Sequence, residues 1–383
     1  MKPQCTFIGL IFCLIAFPLY SKIQIDTLVF YSPSFQTQRE VYVIEPDQIK
    51  YYPEKSKMPR FYLLDGQHEW FVQPIINQIE YLWYTHQIPL SRIIVIPHKD
   101  RNEESIFTKM SDTLPLHHFI EYELEKQLEN YPDNGLRILI GHSFTASFAI
   151  HAGLRSPFFF NQVVAHSPLN MIEDLMSAIH KTSGNTNYYL SFGGIDPSKD
   201  SFHRQAFEKA KSSYDDLTKN LHIYIEESGS HNSVPIISTA RILSEMFVDF
   251  SKRYHFVPEV DMEYKLIHLP GTADEELNKL KRASVLLGKP YAPEIPEVNG
   301  IASKYYNNGF SEQALAIYLE GHTLYPNYFE FPAYAGELML SKSKEKACEL
   351  LKTALALLDT YEQKEPDYEE LRNELLSIVE NCP

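Results

Sequence analysis

Cysteine is scarce in this chain, which has 4 among its 383 residues. Cys5 and Cys13 lie in the first apolar segment, so Cys348 and Cys382 are all that remain for the rest of the chain. A disulfide between these two can form in an oxidising compartment, but two cysteines near one terminus are not a disulfide framework. Neither belongs to a pattern that binds a metal.

Positive charge is also scarce, because the formal net charge is −15 at pH 7. This acidity argues against a nucleic acid or an anionic membrane surface as a partner. The sequence also lacks a phosphate-binding loop and a dinucleotide fingerprint. His68-Glu69 begins like a zinc-protease helix, but Val72 stands where the second histidine is needed. We therefore predict no metal and no cofactor.

Long apolar runs are missing except at the N-terminus, where one extends from Phe7 to Leu19 after the positive Lys2. The run is short for a membrane span, and Ser21 is a small residue near a cleavage point. The pattern predicts a signal peptide over residues 1–21 and a secreted or periplasmic protein. The alternative is an N-terminal anchor that remains attached, and only then do we expect contact with a membrane.

The length of the chain and its hydrophobic fraction of 44% predict two domains with proper cores. Ile25 to Tyr31 and Arg39 to Ile44 read as an antiparallel pair of strands. After them, short apolar runs alternate with stretches that can be helical. This alternation predicts an α/β domain over residues 22–256, with a mostly parallel sheet and helices on both faces. The C-terminal ends of such strands share one edge, where ligands bind.

From about Pro293 the strand-like runs stop and a repeat with a period of 33 residues begins. Ala302, Tyr305, Ala314, Tyr318 and Gly321 reappear as Ala335, Leu338, Ala347, Leu351 and Ala354. This resembles tetratricopeptide repeats and predicts a small all-α domain over residues 293–383. The structural alternative is an unrelated helical hairpin. In function, these helices could offer a surface for a protein partner. Residues 257–292 are predicted to be a linker with one helix, Asp274 to Leu287.

The apolar run Arg137 to Ile140 leads into Gly141-His142-Ser143 and then into a stretch of helix formers. A buried strand that turns sharply into a helix is the setting of a nucleophile elbow. The turn would expose the Ser143 hydroxyl and leave the backbone N–H of Phe144 free for an oxyanion. The elbow pattern Gly-x-Ser-x-Gly is broken by Thr145. The alternative is a core strand that ends on glycine and is followed by an ordinary serine.

A serine nucleophile needs a base, and a carboxylate to orient that base. His231 is the best candidate base, because it follows the strand Ile223 to Ile225 in a loop rich in glycine and serine. Asp196 is the first candidate acid, because it follows the strand Tyr188 to Phe192 through two glycines. The alternatives are Asp200, then Glu226 and Glu227. Among the other histidines, His151 and His166 are predicted to be structural, and His180, His203 and His222 to be solvated.

A second oxyanion donor is expected from the loop after an early central strand. Leu63-Leu64-Asp65-Gly66-Gln67 ends such a strand, so the backbone N–H of Gln67 is the candidate. Asp65 could equally cap the helix that follows.

Several short segments occur in the order of a known family. They are Tyr62-Leu63-Leu64-Asp65-Gly66, Ile93 to Pro97, Gly141-His142-Ser143, Ser167-Pro168, Gly194 to Asp196 and Gly229-Ser230-His231-Asn232-Ser233-Val234-Pro235. Together they resemble the putative-esterase family of α/β-hydrolases, which includes siderophore esterases, feruloyl esterases, esterase D and the mycolyltransferases.

The resemblance covers roughly Ile25 to Tyr254. It implies Ser143 as nucleophile, His231 as base, and the N–H groups of Gln67 and Phe144 as the oxyanion hole. Some members of the family manage with a Ser–His pair, so the acid stays open. The family elbow usually reads Gly-His-Ser-x-Gly-Gly, and Thr145-Ala146 in place of Gly-Gly puts the efficiency of the site in question.

These features favour a serine esterase that cleaves a small-molecule carboxylic ester through an acyl-enzyme, with a siderophore, feruloyl or similar acyl ester as substrate. One alternative is a catalytically weak, hydrolase-like binding protein that holds a partner with its helical repeats. The other is an acyltransferase that uses the same site.

Overall fold

A computed structural model of the chain describes residues 23–53, 56–182, 184–194, 199–212, 219–361 and 368–382. Asp196 and the predicted signal peptide lie outside the described residues. In the described ranges, no helix has both the length and the apolar character that crossing a membrane requires.

Eight strands form one sheet. They are β1 (Ile23–Ser32), β2 (Thr37–Pro46), β3 (Met58–Leu64), β4 (Arg92–Ile96), β5 (Asp133–His142), β6 (Gln162–His166), β7 (Asn187–Gly193) and β8 (Leu221–Glu226). Their spatial order is β1-β2-β4-β3-β5-β6-β7-β8. β1 and β2 pair antiparallel and β2 pairs antiparallel with β4, whereas β4, β3, β5, β6, β7 and β8 all run parallel. The C-terminal ends of these six strands therefore lie at one edge of the sheet.

The helices of this part of the chain cover both faces of the sheet. They are α1 (Glu69–Tyr84), α2 (Arg101–Ser105), α3 (Pro115–His118), α4 (Glu125–Gln127), α5 (Phe144–Arg155), α6 (Ile172–Lys181), α7 (Lys199–Lys211), α8 (Val234–Met246) and α9 (Val248–Lys252), with a π-helical turn over Phe119–Leu124. Alternate residues of β3 enter two separate cores. Tyr62 packs on the side of α5, α6 and α7, and Phe61 on the side of α1 and α8. Burial of both faces explains why β3 reads as a continuous apolar run.

The rest of the chain is mainly helical. It contains α10 (Ala273–Ala283), a short hairpin of β9 (Val285–Leu286) and β10 (Lys289–Pro290), and then α11 (Ile295–Asn307), α12 (Ser311–Leu324), α13 (Glu330–Met339), α14 (Lys344–Asp359) and α15 (Tyr368–Val379). α11 packs on α12, and α13 on α14, as successive hairpins. A disulfide between Cys348 and Cys382 ties the C-terminal turn after α15 to α14.

The C-terminal helices dock at the end of the sheet opposite to Ser143. Tyr52 lies before β3 and packs edge-on against Tyr325 at 4.7 Å between ring centroids. Leu90 lies before β4, and its N–H donates to a carboxylate oxygen of Glu294 at 2.8 Å. Both contacts are made near the N-terminal ends of parallel strands, whereas Ser143 follows the C-terminal end of β5.

The predicted fold class is confirmed: a mostly parallel sheet with helices on both faces is followed by a helical region. The domain boundaries and the tetratricopeptide nature of the helices stay predictions.

Candidate active site

Ser143 occupies a strained turn between β5 and α5. Its φ and ψ are 61° and −117°, a conformation that non-glycine residues rarely adopt. Its N–H donates to the carbonyl oxygen of His166 in β6 at 2.9 Å. A Cβ atom on Gly141 would lie 2.4 Å from the carbonyl oxygen of Thr145, so strand and helix can approach this closely only with glycine there. The predicted strand, turn and helix are therefore present around Ser143.

Thr145 departs from the family pattern, but it is built into the elbow. Its side chain is fully buried, and its Oγ1 lies 2.6 Å from a carboxylate oxygen of Asp65. The same Oγ1 accepts the N–H of His142 at 3.0 Å and lies 2.8 Å from the carbonyl oxygen of His142. A glycine could make none of these contacts. The packing therefore accommodates the departure of Thr145 from the family pattern, and its effect on the efficiency of the site stays a prediction.

Asp65 joins the end of β3 to this elbow. Its φ is 63°, and both carboxylate oxygens accept hydrogen bonds from the Arg101 guanidinium at 2.6 and 3.0 Å. Arg101 also donates to the carbonyl oxygen of His142 at 2.6 Å. Burial alone would raise the pKa of Asp65, but the hydrogen bonds and charge of Arg101 outweigh burial and lower it. The alternative role of Asp65 as a helix cap is therefore replaced by a buried ion pair.

The two candidate oxyanion donors are both available. Gly66 N–H donates to the Ile96 carbonyl oxygen at 3.0 Å, and His68 N–H donates to the Asp65 carbonyl oxygen at 2.8 Å. The N–H of Gln67 lies between them and has no acceptor in the described part of the chain, and the same holds for the N–H of Phe144 at the start of α5. An oxyanion hole requires two unpaired N–H groups, and these two follow Asp65-Gly66 and Ser143, segments that the contact of Asp65 with Thr145 Oγ1 holds together.

The side chain of Gln67 is held away from its own N–H. Its Oε1 accepts the N–H of His98 at 2.8 Å, and the His98 ring pairs through Nδ1 with Glu104 at 2.8 Å. Glu104 also accepts a hydrogen bond from the Arg39 guanidinium at 2.7 Å. Burial would raise the pKa of Glu104, but the hydrogen bonds from His98 and Arg39 lower it to about 2. This ionised cluster fixes the loop after β4, against which Gln67 rests.

His231, the candidate base, lies beside the elbow. The Nε2 of His142 donates to the backbone oxygen of His231 at 2.9 Å, and the two ring centroids are 4.5 Å apart. Ser143 is the next residue after His142 in the chain. The structure therefore brings the loop of His231 to the neighbour of the candidate nucleophile.

The candidate acid Asp196 lies outside the described residues, as does the side chain of Asp200. The backbone leading towards Asp196 is packed tightly on the His231 loop, since Gly194 N–H donates to the Gly229 oxygen at 3.0 Å. A Cβ on Gly194 would lie 2.1 Å from the backbone oxygen of Glu227, so only glycine allows the two backbone segments to approach this closely. Glu227 pairs with Arg204 at 3.2 Å, and Glu226 lies 4.0 Å from Arg241.

His203 corrects the sequence-based expectation, because it was predicted to be solvated. Only 8% of it is exposed, and its ring stacks on that of His231 at 4.4 Å with an interplanar angle of 15°. A signal was present in the sequence, since His203, Phe207 and Ala210 share one face of α7 at helical spacing and all three are buried. The high charge of α7 obscured it.

The predicted structural histidines are buried, as expected. His166 bonds through Nδ1 to Ser191 Oγ at 2.8 Å and through Nε2 to Thr239 Oγ1 at 3.1 Å. Burial lowers the pKa of His166 to about 3. His151 bonds through Nε2 to the carbonyl oxygen of Met110 at 3.0 Å. His222 is exposed, as predicted.

Comparison with solved structures identifies the fold. An uncharacterised protein from Capnocytophaga ochracea is 15% identical, with a TM-score of 0.57 over 94% of this chain and 100% of the other. An IroE-like serine hydrolase from Shewanella oneidensis is 18% identical, with a TM-score of 0.57 over 78% of this chain and 98% of the other. No curated protein matches the sequence.

The family comparison covers most of the α/β part. The model of the family described as "Putative esterase" matches residues 32–253, which is more than half of the chain and contains Gln67, Ser143 and His231. The chain therefore belongs to the Putative esterase family, and the activity that this membership supports is ester hydrolysis.

Proposed function

We propose that the protein is a serine esterase that hydrolyses the carboxylic ester of a small molecule through an acyl-enzyme on Ser143. The observation that carries the proposal is the setting of Ser143. It lies at positive φ between a strand and a helix, and among the described residues the N–H groups of Phe144 and Gln67 have no acceptor. Such a turn is costly to maintain, and a presented hydroxyl beside two free donors is the use that fits it.

The chemistry follows from these roles. Ser143 Oγ attacks the ester carbonyl carbon while His231 takes the hydroxyl proton, and the carbonyl oxygen becomes an oxyanion bound by the two N–H groups. The C–O bond to the alcohol then breaks, and the alcohol leaves with the proton from His231. Water attacks the acyl-enzyme with His231 again as base, and the acid is released with Ser143 restored.

Asp196 is the proposed acid for orienting His231. The tight packing of Gly194 supports it, because Gly194 is the last described residue before Asp196 and contacts the loop that carries His231. Glu227 is less suited, since its carboxylate is engaged by Arg204.

The proposed substrate is an acyl ester of the siderophore or feruloyl kind. Trp70 supports an aromatic group near the site, because 44% of it is exposed and its ring meets that of His142 edge-on at 5.4 Å. Aromatic rings favour such partners through stacking and edge-on contacts.

We also propose that the protein works outside the cytoplasm, secreted or in the periplasm. The disulfide between Cys348 and Cys382 supports this location, because such bonds persist mainly in oxidising compartments.

The test uses a short p-nitrophenyl ester and a fluorophosphonate probe on the full chain. Ser143→Ala and His231→Ala should lower turnover by on the order of a thousandfold or more, with Asp196→Ala losing less if a Ser–His pair suffices. Only proteins that retain Ser143 should be labelled. Ser251→Ala, an exposed serine in α9, is the matched control and should behave as wild type.

Labelling that persists in Ser143→Ala would reject the nucleophile. If Asp196→Ala is as active as wild type while Glu226→Ala or Asp200→Ala is not, the assignment of Asp196 as the acid is wrong. A folded wild type with neither turnover nor labelling would favour a binding protein.

A further inference from the structure

Three imidazole rings lie in series at the candidate base. The ring centroid of His231 lies 4.5 Å from that of His142 and 4.4 Å from that of His203. The three residues come from the end of β5, from the loop after β8 and from α7. A serine esterase requires only the central ring as base, so the two outer rings need an explanation.

His142 connects the elbow to the His231 loop. Its Nε2 reaches the backbone oxygen of His231, while its own backbone is fixed by the Thr145 hydroxyl and the Arg101 guanidinium. The ring is also enclosed, with Trp70 edge-on at 5.4 Å and Phe71 at 5.5 Å. Because its backbone is fixed in the elbow and its ring is bonded to the His231 loop, His142 holds the loop at a defined position relative to the elbow.

The acceptor fixes the tautomer of His142. A carbonyl oxygen only accepts, so Nε2 must carry the hydrogen. Burial lowers the pKa of His142 to about 4, which is only partly offset by its bond to His231, so the ring is neutral around neutral pH with Nδ1 unprotonated. A neutral ring can hold the loop without placing a positive charge beside the base.

The ring of His203 stacks on the ring of His231 with an interplanar angle of 15°. α7 is anchored there, because Phe207 stacks on Phe192 of β7 at 4.2 Å. Arg204 contacts the carbonyl oxygen of Gly193 and the carboxylate of Glu227, both at 3.2 Å, and so bridges β7 and the His231 loop. The ring of His203 is therefore a fixed, flat surface against which His231 rests.

We propose that His142 and His203 are positioning residues for the base, with His142 holding the backbone of His231 and His203 setting the plane of its ring. This inference rests on the proposed function. Reacting groups must be held closely to a productive geometry, and a small misplacement of a base is costly. The two rings supply orientation from outside the usual carboxylate.

Two pairs of variants distinguish a positioning role of each histidine from simple filling of space by its side chain. His142→Leu and His203→Leu should lower kcat on a short ester by on the order of tenfold to a hundredfold with KM little changed. His142→Gln keeps an N–H donor near the Nε2 position, and His203→Phe keeps a flat ring, so each should recover most of that loss. His222→Leu is the control, because His222 stacks on Tyr189 at the other end of β8 and should leave kcat unchanged.

A second measurement needs no substitution in the measured protein. In the full chain labelled with ¹⁵N-histidine, NMR should find His142 protonated at Nε2 and not at Nδ1 at neutral pH, with His142→Gln used to assign the signal. The opposite tautomer would overturn the role of His142, even if the leucine variants fail to fold.

The outcomes separate this inference from the proposed function. An active wild type whose kcat is unaffected by His142→Leu and His203→Leu ends the inference alone. The inference also fails if the kcat of His203→Phe is no higher than that of a folded His203→Leu. A wild type that neither turns over ester nor reacts with fluorophosphonate ends the proposed function and the inference with it.

Discussion

At the scale of single residues, Thr145 shows how a departure from a pattern can be compensated by its contacts. The sequence alone gave a reason to doubt the elbow, because glycine is usual at this position. The buried hydroxyl instead links Asp65 to the backbone of His142, and Arg101 completes the same cluster. No local pattern relates Thr145 to Asp65, since 80 residues separate them in the chain.

We predict that restoring glycine at position 145 weakens the protein. Thr145→Gly and Thr145→Val should each destabilise it by about 1–3 kcal/mol, because the buried N–H of His142 loses its acceptor and Asp65 loses a partner. Thr145→Ser keeps the hydroxyl and is the matched control, with a smaller loss. Urea unfolding and ester turnover measure the effect, and Thr145→Gly that is as stable as wild type and more active would contradict it.

The placement of Ser143 and His231 at one edge of the sheet could be predicted from the sequence, because each follows a short apolar strand and the strands run parallel. His203 could not be predicted in the same way. Its contact with His231 depends on how α7 packs on β7 through Phe207, and the charged residues of α7 suggested a solvated helix.

At the scale of elements, the ends of β7 and β8 are the most constrained part of the candidate site. The apolar runs predicted both strands, and the two glycines, Gly193 at the end of β7 and Gly194 after it, predicted a turn towards Asp196. Neither Gly193 nor Gly194 has a positive φ, so the reason for glycine differs from the expected one. The two backbones approach so closely that no side chain fits between them, which a sequence cannot reveal without the pairing of the loops.

We predict that Gly194→Ala displaces the His231 loop. The added Cβ would lie 2.1 Å from the Glu227 oxygen, so the backbone must move, at a cost of about 1–3 kcal/mol and with a loss of kcat. Gly300→Ala is the control, because it lies in α11 with nothing within 4 Å of the new Cβ. That change should stabilise the protein by about 0.5–1 kcal/mol. Unchanged turnover in a folded Gly194→Ala would show that the loop position does not matter.

At the scale of the whole molecule, the C-terminal helices are distant from the candidate site and closely joined to the α/β part. Tyr51 and Tyr52 pack on Tyr328 and Tyr325, and Glu294 accepts the N–H of Leu90. The loss of strand-like runs after Pro293 predicted helices, but it did not predict at which edge of the sheet the helices dock. That edge is set by Tyr51 at the end of a short 3-10 helix, Asp47–Tyr51, and by Tyr52, which follows it.

Glu294 makes this docking dependent on pH. The carboxylate is buried and also accepts the hydroxyl of Tyr291 at 3.0 Å. Burial, with the nearby charge of Glu297, raises the pKa of Glu294 from its usual 4.5 to about 7. The folded protein then binds more protons than the unfolded chain between these values, so this contribution to stability is present below pH 4.5 and is lost as the pH rises through 7.

We predict that Glu294→Gln removes this loss, because glutamine keeps an acceptor for Leu90 N–H and does not ionise. The variant should be about as stable as wild type at pH 5 and more stable at pH 8 by up to about 3 kcal/mol, the linkage expected for a shift of this size. Urea unfolding at the two pH values measures the difference. Glu312→Gln, at an exposed pair with Lys342, should show no such dependence on pH. An equal difference between wild type and Glu294→Gln at both pH values would mean that Glu294 does not change its ionisation between pH 5 and pH 8, and would contradict the predicted pH dependence.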